Sequence, residues 1–372
     1  MECSYKFRIY PNREQENLIQ HTFGCCRYVY NYYLAMRKDA YEQSGETMNF
    51  YACNRNLTLL KKQEDTLWLK EVDSMALQNS IRDLDLAYQN FFRRVKGGDK
   101  PGYPRFKSKK DNRKSYKSSF INGNIKVLDK AIQLPKLGMV KCRVSRYVQG
   151  RILNATVSQT PSGKYFVSIC CSDVDIRPRP KTGEVVGLML GGDSFATSSN
   201  GVEYPNPRCL AASQKKLVRL QRRLSRKSKD SANSEKARIR LARLHEHVAN
   251  QRMDMLHKLS TDIVRQNDVI CVEKLPLLDM AKNHADAKDI VDAGWGEFLR
   301  LLSYKAAWYG KVVALVSDSY PSGQICSHCG AVWDDTQDYE GRKLKCPGCG
   351  TVLIRDHNAA INILDEGLRK LA

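Results

Sequence analysis

The spacing of apolar residues changes from period two to a helical period soon after the start of the chain. The segment YKFRIY alternates and Pro11 follows it, which predicts a first strand over residues 5–10. Apolar residues then recur every three or four positions. This spacing predicts helices over residues 13–41, 49–62 and 74–95. Ser74 is a candidate N-cap of the third helix, and Gly97-Gly98 would end it.

Period-two alternation returns between residues 120 and 176. Segments such as MVKCRVS and YFVSICC are separated by turn signals, among them Asn122-Gly123 and Pro161-Ser162-Gly163. This pattern predicts a small β-barrel, which the first strand could join. The basic, Pro-containing segment 177–183 is predicted to be a linker.

After the linker, continuous apolar runs of strand length alternate with helical segments. The runs EVVGLML, DVICVEKL and KVVALVS predict buried strands, and a hairpin partner follows the first of them. Helices are predicted over residues 211–228, 232–267 and 295–310, and at the end of the chain. Strands and helices in this order predict a mixed sheet whose faces are covered by helices.

The charge of the chain indicates its class of partner. There are 61 Lys and Arg against 40 Asp and Glu, a net charge of +21, and the pI is about 9.4. Such an excess favours a polyanion, with nucleic acid ahead of an uncommitted basic surface and of a membrane surface. The aromatic-rich basic loop 96–118 and the helix segment LQRRLSRKSK are the candidate contacts. Their candidate nucleic-acid-binding residues are Arg105, Lys107, Lys109, Lys110, Arg222 and Arg223, although a solvated linker and a solvated helix face are open alternatives.

Hydropathy argues against a membrane protein. No apolar run reaches eighteen residues, and the start of the chain, MECSYKFRIYPN, lacks the apolar core of a signal peptide. We therefore expect a cytoplasmic protein that associates with the nucleoid when it is bound to DNA.

Four of the thirteen cysteines have the spacing of a metal site. Cys326 and Cys329 form one C-x-x-C pair, and Cys346 and Cys349 form the second. Four thiolates close a tetrahedral Zn²⁺ site without an open position, so we expect structural zinc, with two disulfides as the weaker alternative. His328, between two ligands, is expected to be a bystander.

Two carboxylates stand at the ends of predicted core elements. Glu273 closes the strand VICVE, and Asp356 starts the last helix. Each has an ordinary alternative, because a strand-end Glu is often a surface charge and an Asp there often caps a helix. Together, and with the zinc segment just before Asp356, they suggest a nuclease centre in which carboxylates hold two Mg²⁺ ions.

The order of these parts resembles TnpB, the transposon-encoded RNA-guided nuclease family, nearly end to end. The matching segments are KFRIYPNREQE, TFGCCRYVYN, ALQNSIRDLDLAYQNFF, GYPRFKSKK, LHEHVANQRMDMLHKLS, VICVEKL, YPSGQICSHCG and RDHNAAINIL. The resemblance implies a multidomain α+β fold: an N-terminal β-barrel (wedge) domain with an inserted helical recognition domain, then an RNase H-like RuvC α/β domain with an inserted zinc finger. The expected boundaries are 1–10 and 117–180 for the wedge domain, 11–116 for the helical domain, 181–320 and 355–372 for the RuvC-like domain, and 321–354 for the four-cysteine zinc finger.

One position departs from the family pattern. The first RuvC strand resembles G-I-D-L-G-L-K-D-F-A, but this chain has Met189 where the first catalytic Asp is expected. A neutral thioether is a poor ligand for Mg²⁺, which prefers hard oxygen donors. Asp193 lies four residues on, ~13 Å along an extended strand, and is a poor substitute. We therefore expect Met189, Glu273 and Asp356 to be relic positions without productive Mg²⁺ binding.

The resemblance with this departure implies a nuclease-dead protein of the TnpB-like repressor branch. Such a protein binds a guide RNA and double-stranded target DNA beside a short motif, and represses transcription by occupancy. The resemblance places motif readers at Gln78, Asn79 and Arg82, with ordinary surface polar residues as the alternative. We expect one protein per guide RNA. Open alternatives are an active nuclease with a rearranged metal site, a basic RNA-binding protein without guided targeting, and, more weakly, an accessory transposition factor.

Overall fold

The computed structural model describes residues 1–98, 100–111, 114–191, 194–275, 290, 292–333 and 342–372. The chain folds as two compact units, residues 1–175 and 176–372. The division falls close to the expected end of the wedge domain at residue 180, and the finer domain boundaries stay predictions. No helix of the described ranges combines the length and the apolarity that a bilayer-spanning segment needs.

The helices of the first unit match the predicted periodicity. They are α1 (Arg13–Ser44), α2 (Phe50–Leu60), a 3₁₀ helix (Glu64–Lys70) and α3 (Ser74–Lys96). Asn12 and Gln15 form a capping box at the start of α1. The N-cap of α3 is Asp73 rather than Ser74, because the Asp73 carboxylate accepts the Met75 N–H at 3.1 Å.

The strands of the first unit form one antiparallel sheet. They are β1 (Cys3–Tyr10), β2 (Lys114–Ser119), β3 (Lys126–Val127), β4 (Ala131–Leu134), β5 (Gly138–Arg143), β6 (Arg151–Gln159) and β7 (Tyr165–Ser172). The strand order is β2-β6-β7-β1-β5-β4-β3, so the first strand joins the sheet as predicted. Within the described ranges the edge strands β2 and β3 are not paired with each other, and closure into a barrel stays a prediction.

The second unit contains the predicted mixed sheet. Its strands are β8 (Val185–Leu190), β9 (Ala196–Ser198), β10 (Glu203–Tyr204), β11 (Val269–Glu273) and β12 (Val312–Val316), in the order β10-β9-β8-β11-β12. Strands β8, β11 and β12 are parallel, and β9 and β10 complete an antiparallel hairpin with β8. A short antiparallel pair, β13 (Lys343–Lys345) and β14 (Val352–Ile354), lies near the chain end.

Helices cover both faces of this sheet. They are α4 (Cys209–Ser225), α5 (Ala232–Gln266), α6 (Trp295–Tyr309) and α7 (Arg355–Arg369). Helices α5 and α6 pack on one face, where a large apolar core includes Leu188, Val272 and Phe298. Helix α7 packs on the other face, where a smaller cluster joins Cys271, Val316 and Ile363.

Two glycines set the distance between α7 and the sheet. A Cβ at Gly187 of β8 would lie 2.1 Å from the carbonyl oxygen of Ala360 in α7. A Cβ at Gly367 of α7 would lie 2.4 Å from the sulfur of Cys271 in β11. Real Cβ atoms do not approach other atoms this closely, so only glycine at these two positions permits the observed packing.

Asp268 anchors the opposite, amino-terminal end of the parallel strands. Its carboxylate pairs with Lys311 and accepts the backbone N–H groups of Thr182 (3.0 Å) and Gly183 (2.8 Å). The Lys311 hydrogen bond and these two N–H groups lower the pKa of Asp268. The chain is therefore fixed where it enters the sheet, at the end away from the site residues described below.

We predict that Gly187→Ala destabilises the second unit. The added methyl group forces α7 away from the sheet, and we expect a loss of about 2–3 kcal/mol in the free energy of unfolding, or failure to fold. Urea unfolding followed by circular dichroism measures the loss. Gly323→Ala is the control, because no atom lies within 4 Å of a Cβ at that position. Equal stability of the two variants would show that the close approach is not a constraint.

Candidate nuclease centre, zinc site and nucleic-acid interface

The four cysteines predicted to bind zinc converge in space. Their sulfur atoms all lie within 4.8 Å of one another. The Cys326 and Cys349 sulfurs are 3.8 Å apart, and those of Cys329 and Cys346 are 3.6 Å apart. A tetrahedral Zn²⁺ site with Zn–S bonds of about 2.3 Å requires sulfur separations of about 3.8 Å. The donor set and its spacing therefore fit a structural zinc ion.

The two halves of this site have the same backbone geometry. The Gly330 N–H donates to the Cys326 carbonyl at 2.9 Å, and the Gly350 N–H donates to the Cys346 carbonyl at 2.9 Å. Both glycines have positive φ, 75° and 73°, which is why a glycine follows each C-x-x-C pair. Each turn directs two sulfurs to one point.

The environment of Cys349 favours the thiolate that a metal site needs. Its sulfur lies 3.2 Å from the Thr351 hydroxyl oxygen. This contact, together with the Thr351 backbone N–H, lowers the pKa of Cys349, whereas the neighbouring Cys349 sulfur raises the pKa of Cys329.

Met189 and Glu273 lie side by side at the carboxyl ends of β8 and β11. The two residues directly follow the last paired positions of these parallel strands, Leu188 and Val272. Met189 lies two residues after Gly187, and Glu273 lies two residues after Cys271; Gly187 and Cys271 both contact α7. Because side chains alternate along a strand, those of Met189 and Glu273 also point to the α7 face. The Met189 side chain packs against the apolar cluster beneath α7. The thioether of Met189 therefore lies beside Glu273, at the position where the family resemblance predicts an aspartate.

Glu273 has an acidic neighbour, Asp318, which follows β12. Glu273 pairs with Val316 of β12, and Asp318 lies two residues beyond Val316. Burial raises the pKa of Glu273, and the negative charge of Asp318 raises it further. Asp318 was not anticipated from the sequence; its position after the third apolar run, KVVALVS, was the available signal.

Asp356 is buried in the first turn of α7, as expected, and it is paired with a cation. A guanidinium nitrogen of Arg342 lies 3.4 Å from its carboxylate and 2.9 Å from that of Glu203 on β10. Arg342 directly precedes β13 of the zinc segment. The zinc segment therefore supplies a positive charge to the nuclease-like centre, and sequence reasoning missed this residue.

The next residues of α7 hold the start of the zinc segment. The Asn358 side chain accepts the Ser327 N–H at 2.8 Å and donates to the Ile325 carbonyl at 2.7 Å. Asn362, one turn later, donates to the carbonyls of Ser322 and Ile325. One helix therefore carries Asp356 and fixes the backbone that leads into the first cysteine pair.

Within the ranges that the structure describes, the four cysteines are the only group of three or more potential metal-ligating side chains whose ligand atoms converge. Asp193, considered above as a substitute ligand, lies outside the described residues.

The three predicted motif readers have different environments. Arg82 is exposed, and its guanidinium group lies 5.1 Å from the centre of the Phe50 ring. Gln78, one turn earlier on α3, is half-buried. Asn79 is buried, and its amide donates to the Lys117 carbonyl (2.9 Å) and to the Ser119 hydroxyl (3.1 Å). The expectation for Asn79 is therefore corrected: its side chain joins α3 to β2 instead of facing solvent.

The predicted basic loop presents its cations to solvent. Arg105, Lys107, Lys109 and Lys110 are all exposed. The backbone of Lys107 exchanges two hydrogen bonds, at 2.8 and 2.9 Å, with the side chain of Asn31 in α1. The Lys107 ammonium group lies 4.0 Å from the centre of the Tyr30 ring. The loop is thus attached to α1 at one point and leaves three cations for phosphates.

Helix α4 carries several positive charges and no negative ones. Residues 209–225 contain no Asp or Glu, and Arg222 and Arg223 are both exposed. Like charges recur at a spacing of four, as at Arg219 and Arg223, an arrangement that weakens an isolated helix. A bound polyanion would relieve this repulsion.

A further basic face was missed by sequence reasoning. On the exposed side of β1 and β5, Arg8 lies directly opposite Arg143, and Tyr10 lies opposite Lys141. The Arg8 guanidinium is 5.0 Å from the centre of the Tyr10 ring. Asp129 is the one acidic residue lining the adjacent groove of about 570 Å³. Since like charges directly opposite in a sheet are destabilising, an anion bound between the two arginines would stabilise this pair. The sequence contained a signal for this face: after Ser4, the exposed positions of β1 are Lys6, Arg8 and Tyr10, all basic or aromatic.

Family models match most of the chain in three segments. OrfB_IS605, described as "Probable transposase", matches residues 168–284, and "Cas12f1-like, TNB domain" matches residues 295–363. A model described as "Helix-turn-helix domain" matches residues 1–46, although the structure has strand β1 and the single long helix α1 there.

Full-length relatives decide the family. A Streptomyces pristinaespiralis protein named "Putative RNA-guided DNA endonuclease" is 37% identical over 98% of this chain and 89% of its own length. The chain belongs to the TnpB family. Another TnpB relative, InsQ of Escherichia coli K12, carries the same description and is 34% identical over 99% of this chain and 93% of its own length.

Solved structures support the TnpB-type fold. The protein in a Cas12f1–sgRNA–target DNA complex superposes with a TM-score of 0.61 at 11% identity, covering 98% of both chains. A mini-RNA-guided endonuclease, CRISPR-Cas_phi3, superposes with a TM-score of 0.58 at 8% identity, covering 99% of this chain and 92% of its own. At these identities the likeness is one of fold. This TnpB chain therefore has a multidomain α+β fold with a RuvC-type domain and a four-cysteine cluster.

We predict that this TnpB chain carries about one zinc ion per molecule, held by the four cysteines. Cys329→Ser should lower the zinc content by more than about half, because hydroxyl is a poor ligand for Zn²⁺. Elemental analysis by mass spectrometry of the purified protein measures the content. Cys209→Ser, which changes a thiol outside the cluster, is the control. Equal zinc content in both variants would refute the assignment.

We predict that the double change Arg8→Ala and Arg143→Ala weakens RNA binding without destabilising the first unit. Each lost phosphate contact should reduce the slope of log K against log salt by about 1. Removal of two opposed like charges should leave the melting temperature unchanged or raised. Fluorescence anisotropy with the co-purified RNA at several salt concentrations measures the slope. Lys70→Ala, at the end of the 3₁₀ helix, is the control, and an unchanged slope in the double variant would contradict the prediction.

Proposed function

We propose that this chain is an RNA-guided DNA-binding member of the TnpB family whose RuvC-type centre does not cut DNA. The observation that carries the proposal is the position of Met189, beside Glu273 at the carboxyl ends of two parallel strands. In a two-metal nuclease centre, neighbouring carboxylates at such a position clamp the attacking and leaving oxygens.

Residue 189 supplies no donor that suits Mg²⁺. Met189 offers a neutral, soft sulfur that packs into the apolar cluster beneath α7, whereas Mg²⁺ is held by oxygen ligands in near-octahedral geometry. We therefore assign no catalytic step to this centre.

Asp356 has a use that does not require a metal. Its charge is balanced by Arg342, and the same guanidinium group pairs with Glu203. This pair connects the zinc segment to α7 and to β10. Retention of Asp356 is therefore compatible with the loss of cutting, because its removal would take away one of the two carboxylates that pair with Arg342.

The parts that would bind nucleic acid do not involve Met189. Relatives are named as RNA-guided endonucleases, and the Cas12f1 structure contains guide RNA and target DNA. The exposed basic loop, the basic helix α4 and the Arg8–Arg143 face supply cations for such partners. A complex of this type reads sequence by base pairing and a short motif by protein contacts, and it would repress transcription by occupying a promoter.

The test begins with sequencing of the RNA that co-purifies with the protein. DNA that matches its guide segment should bind at least about 100-fold more tightly than scrambled DNA, because the base pairs supply specificity. No cleavage should follow in Mg²⁺ or in Mn²⁺. Guide-matched cleavage by the unmodified protein would overturn the proposal. Equal binding of matched and scrambled DNA would show that the binding is not guided by the RNA.

Met189→Asp tests whether residue 189 alone accounts for the missing activity. The restored oxygen ligand beside Glu273 should allow Mg²⁺-dependent cleavage of guide-matched DNA. Met189→Leu is the matched control, since it keeps an apolar side chain of similar volume and should stay inactive. Adding Glu273→Ala to Met189→Asp should abolish any cleavage gained, whereas cleavage that survives this change would come from another site or from a contaminant.

A further inference from the structure

The end of α3 carries an aromatic cluster that the centre described above does not use. The rings of Tyr88, Phe91 and Phe92 pack against one another and against Tyr103 of the following loop, with centroids 5.2–6.4 Å apart. The Tyr88 and Tyr103 hydroxyls are 3.0 Å apart. Three of these contacts are edge-to-face, so the cluster is a defined arrangement rather than a loose collapse.

The outer members of this cluster form one wall of a groove of about 670 Å³. The other wall comes from the end of α1 and the segment after it, including Tyr41 and Met48. Tyr41 is 64% exposed, Phe92 53% and Tyr103 45%. A flat apolar group can stack on exposed rings that face a shared groove. Exposed apolar patches of this kind mark interaction sites, because leaving them exposed does not stabilise the fold.

The two rims of the groove differ in charge. On the α3 side, the last helical turn carries Arg93, Arg94 and Lys96. A Cβ built at Gly102, next to Tyr103, would lie 3.6 Å from an Arg94 guanidinium nitrogen, so this cation stands beside the aromatic wall. On the α1 side, the charges of the lining residues cancel: they are Arg37, Lys38, Glu42 and Glu46, and Lys38 is paired with Glu42 at 3.6 Å.

We propose that this groove binds unpaired bases of single-stranded nucleic acid, with the sugar–phosphate backbone along the basic α3 rim. Base–aromatic stacking beside a row of cations is the usual physical basis of single-strand binding, and it tolerates any base because each has a π-face. The α1 rim has no net charge, so the basic α3 rim determines the side on which the backbone lies. This inference rests on the proposed function; the strand is either guide RNA or the DNA strand released by pairing, which offer the same chemistry.

Photo-crosslinking tests the groove and identifies the strand. The full-length protein, with its co-purified RNA removed, is mixed with single-stranded RNA containing 5-iodouridine or with single-stranded DNA containing 5-iododeoxyuridine. Irradiation and peptide mass spectrometry should place crosslinks at Tyr41, Phe92 or Tyr103. Crosslinks with RNA alone indicate the guide, and crosslinks with DNA alone indicate the released strand; crosslinks with both fit a site that stacks any base.

Phe92→Ala should remove these crosslinks and weaken single-strand binding about 5- to 100-fold, with an unchanged salt slope, because stacking and not a phosphate contact is lost. Phe92→Trp should restore binding. Leu86→Ala is the matched control, since Leu86 is also an exposed apolar residue of α3 (54%) but does not line the groove. Arg94→Ala should instead reduce the salt slope by about 1.

The inference is overturned if crosslinks form only outside the groove, or if Phe92→Ala binds as Leu86→Ala does. It is also overturned if Phe92→Ala changes the salt slope. Such a change would mean that the ring only positions the cations that contact phosphates and does not stack on a base. Failure of the proposed function looks different: guide-matched DNA would be cut, or would bind no better than scrambled DNA, while the crosslinks in the groove would still form.

Discussion

The close approach of α7 to the parallel strands is the constraint on which the rest of the second unit depends. Gly187 and Gly367 remove the two side chains that would hold helix and sheet apart. This contact brings the first turn of α7, with Asp356, towards the sheet, and Met189 packs against the apolar cluster beneath the helix. The arrangement of the nuclease-like centre is therefore a product of backbone packing, and it persists whether or not residue 189 can bind a metal.

The same helix connects this centre to the zinc segment. Asn358 and Asn362 fix the backbone before the first cysteine pair, and Arg342 returns from the zinc segment to Asp356. The four-cysteine cluster, the β13–β14 pair and α7 form a closed chain of contacts. A zinc ion bound by the cysteines would stabilise this short segment, which has only a small apolar core of its own. Such a metal would have a structural role even beside a centre that we propose is catalytically silent.

The sequence predicted most elements because their periodicity was strong, as in α3, and because buried parallel strands such as β11 read as continuous apolar runs. It predicted the four cysteines because spacing alone defines such a site. It could not predict Arg342 or Asp318, since their roles depend on contacts across the fold. Asn79 was misassigned for the opposite reason: a polar residue on a helix appears available until its hydrogen-bond partners on β2 are known.

The two glycines beneath α7 bear on how such a chain can change over generations. A carboxylate kept only for cutting is free to vary once cutting is no longer selected, and residue 189 has the character of such a position. Gly187, two positions before Met189 on the same strand, has no such freedom, because any side chain there displaces the helix. If the proposed loss of cutting holds, substitutions should be uneven along this single strand, with tolerance at residue 189 and none at Gly187.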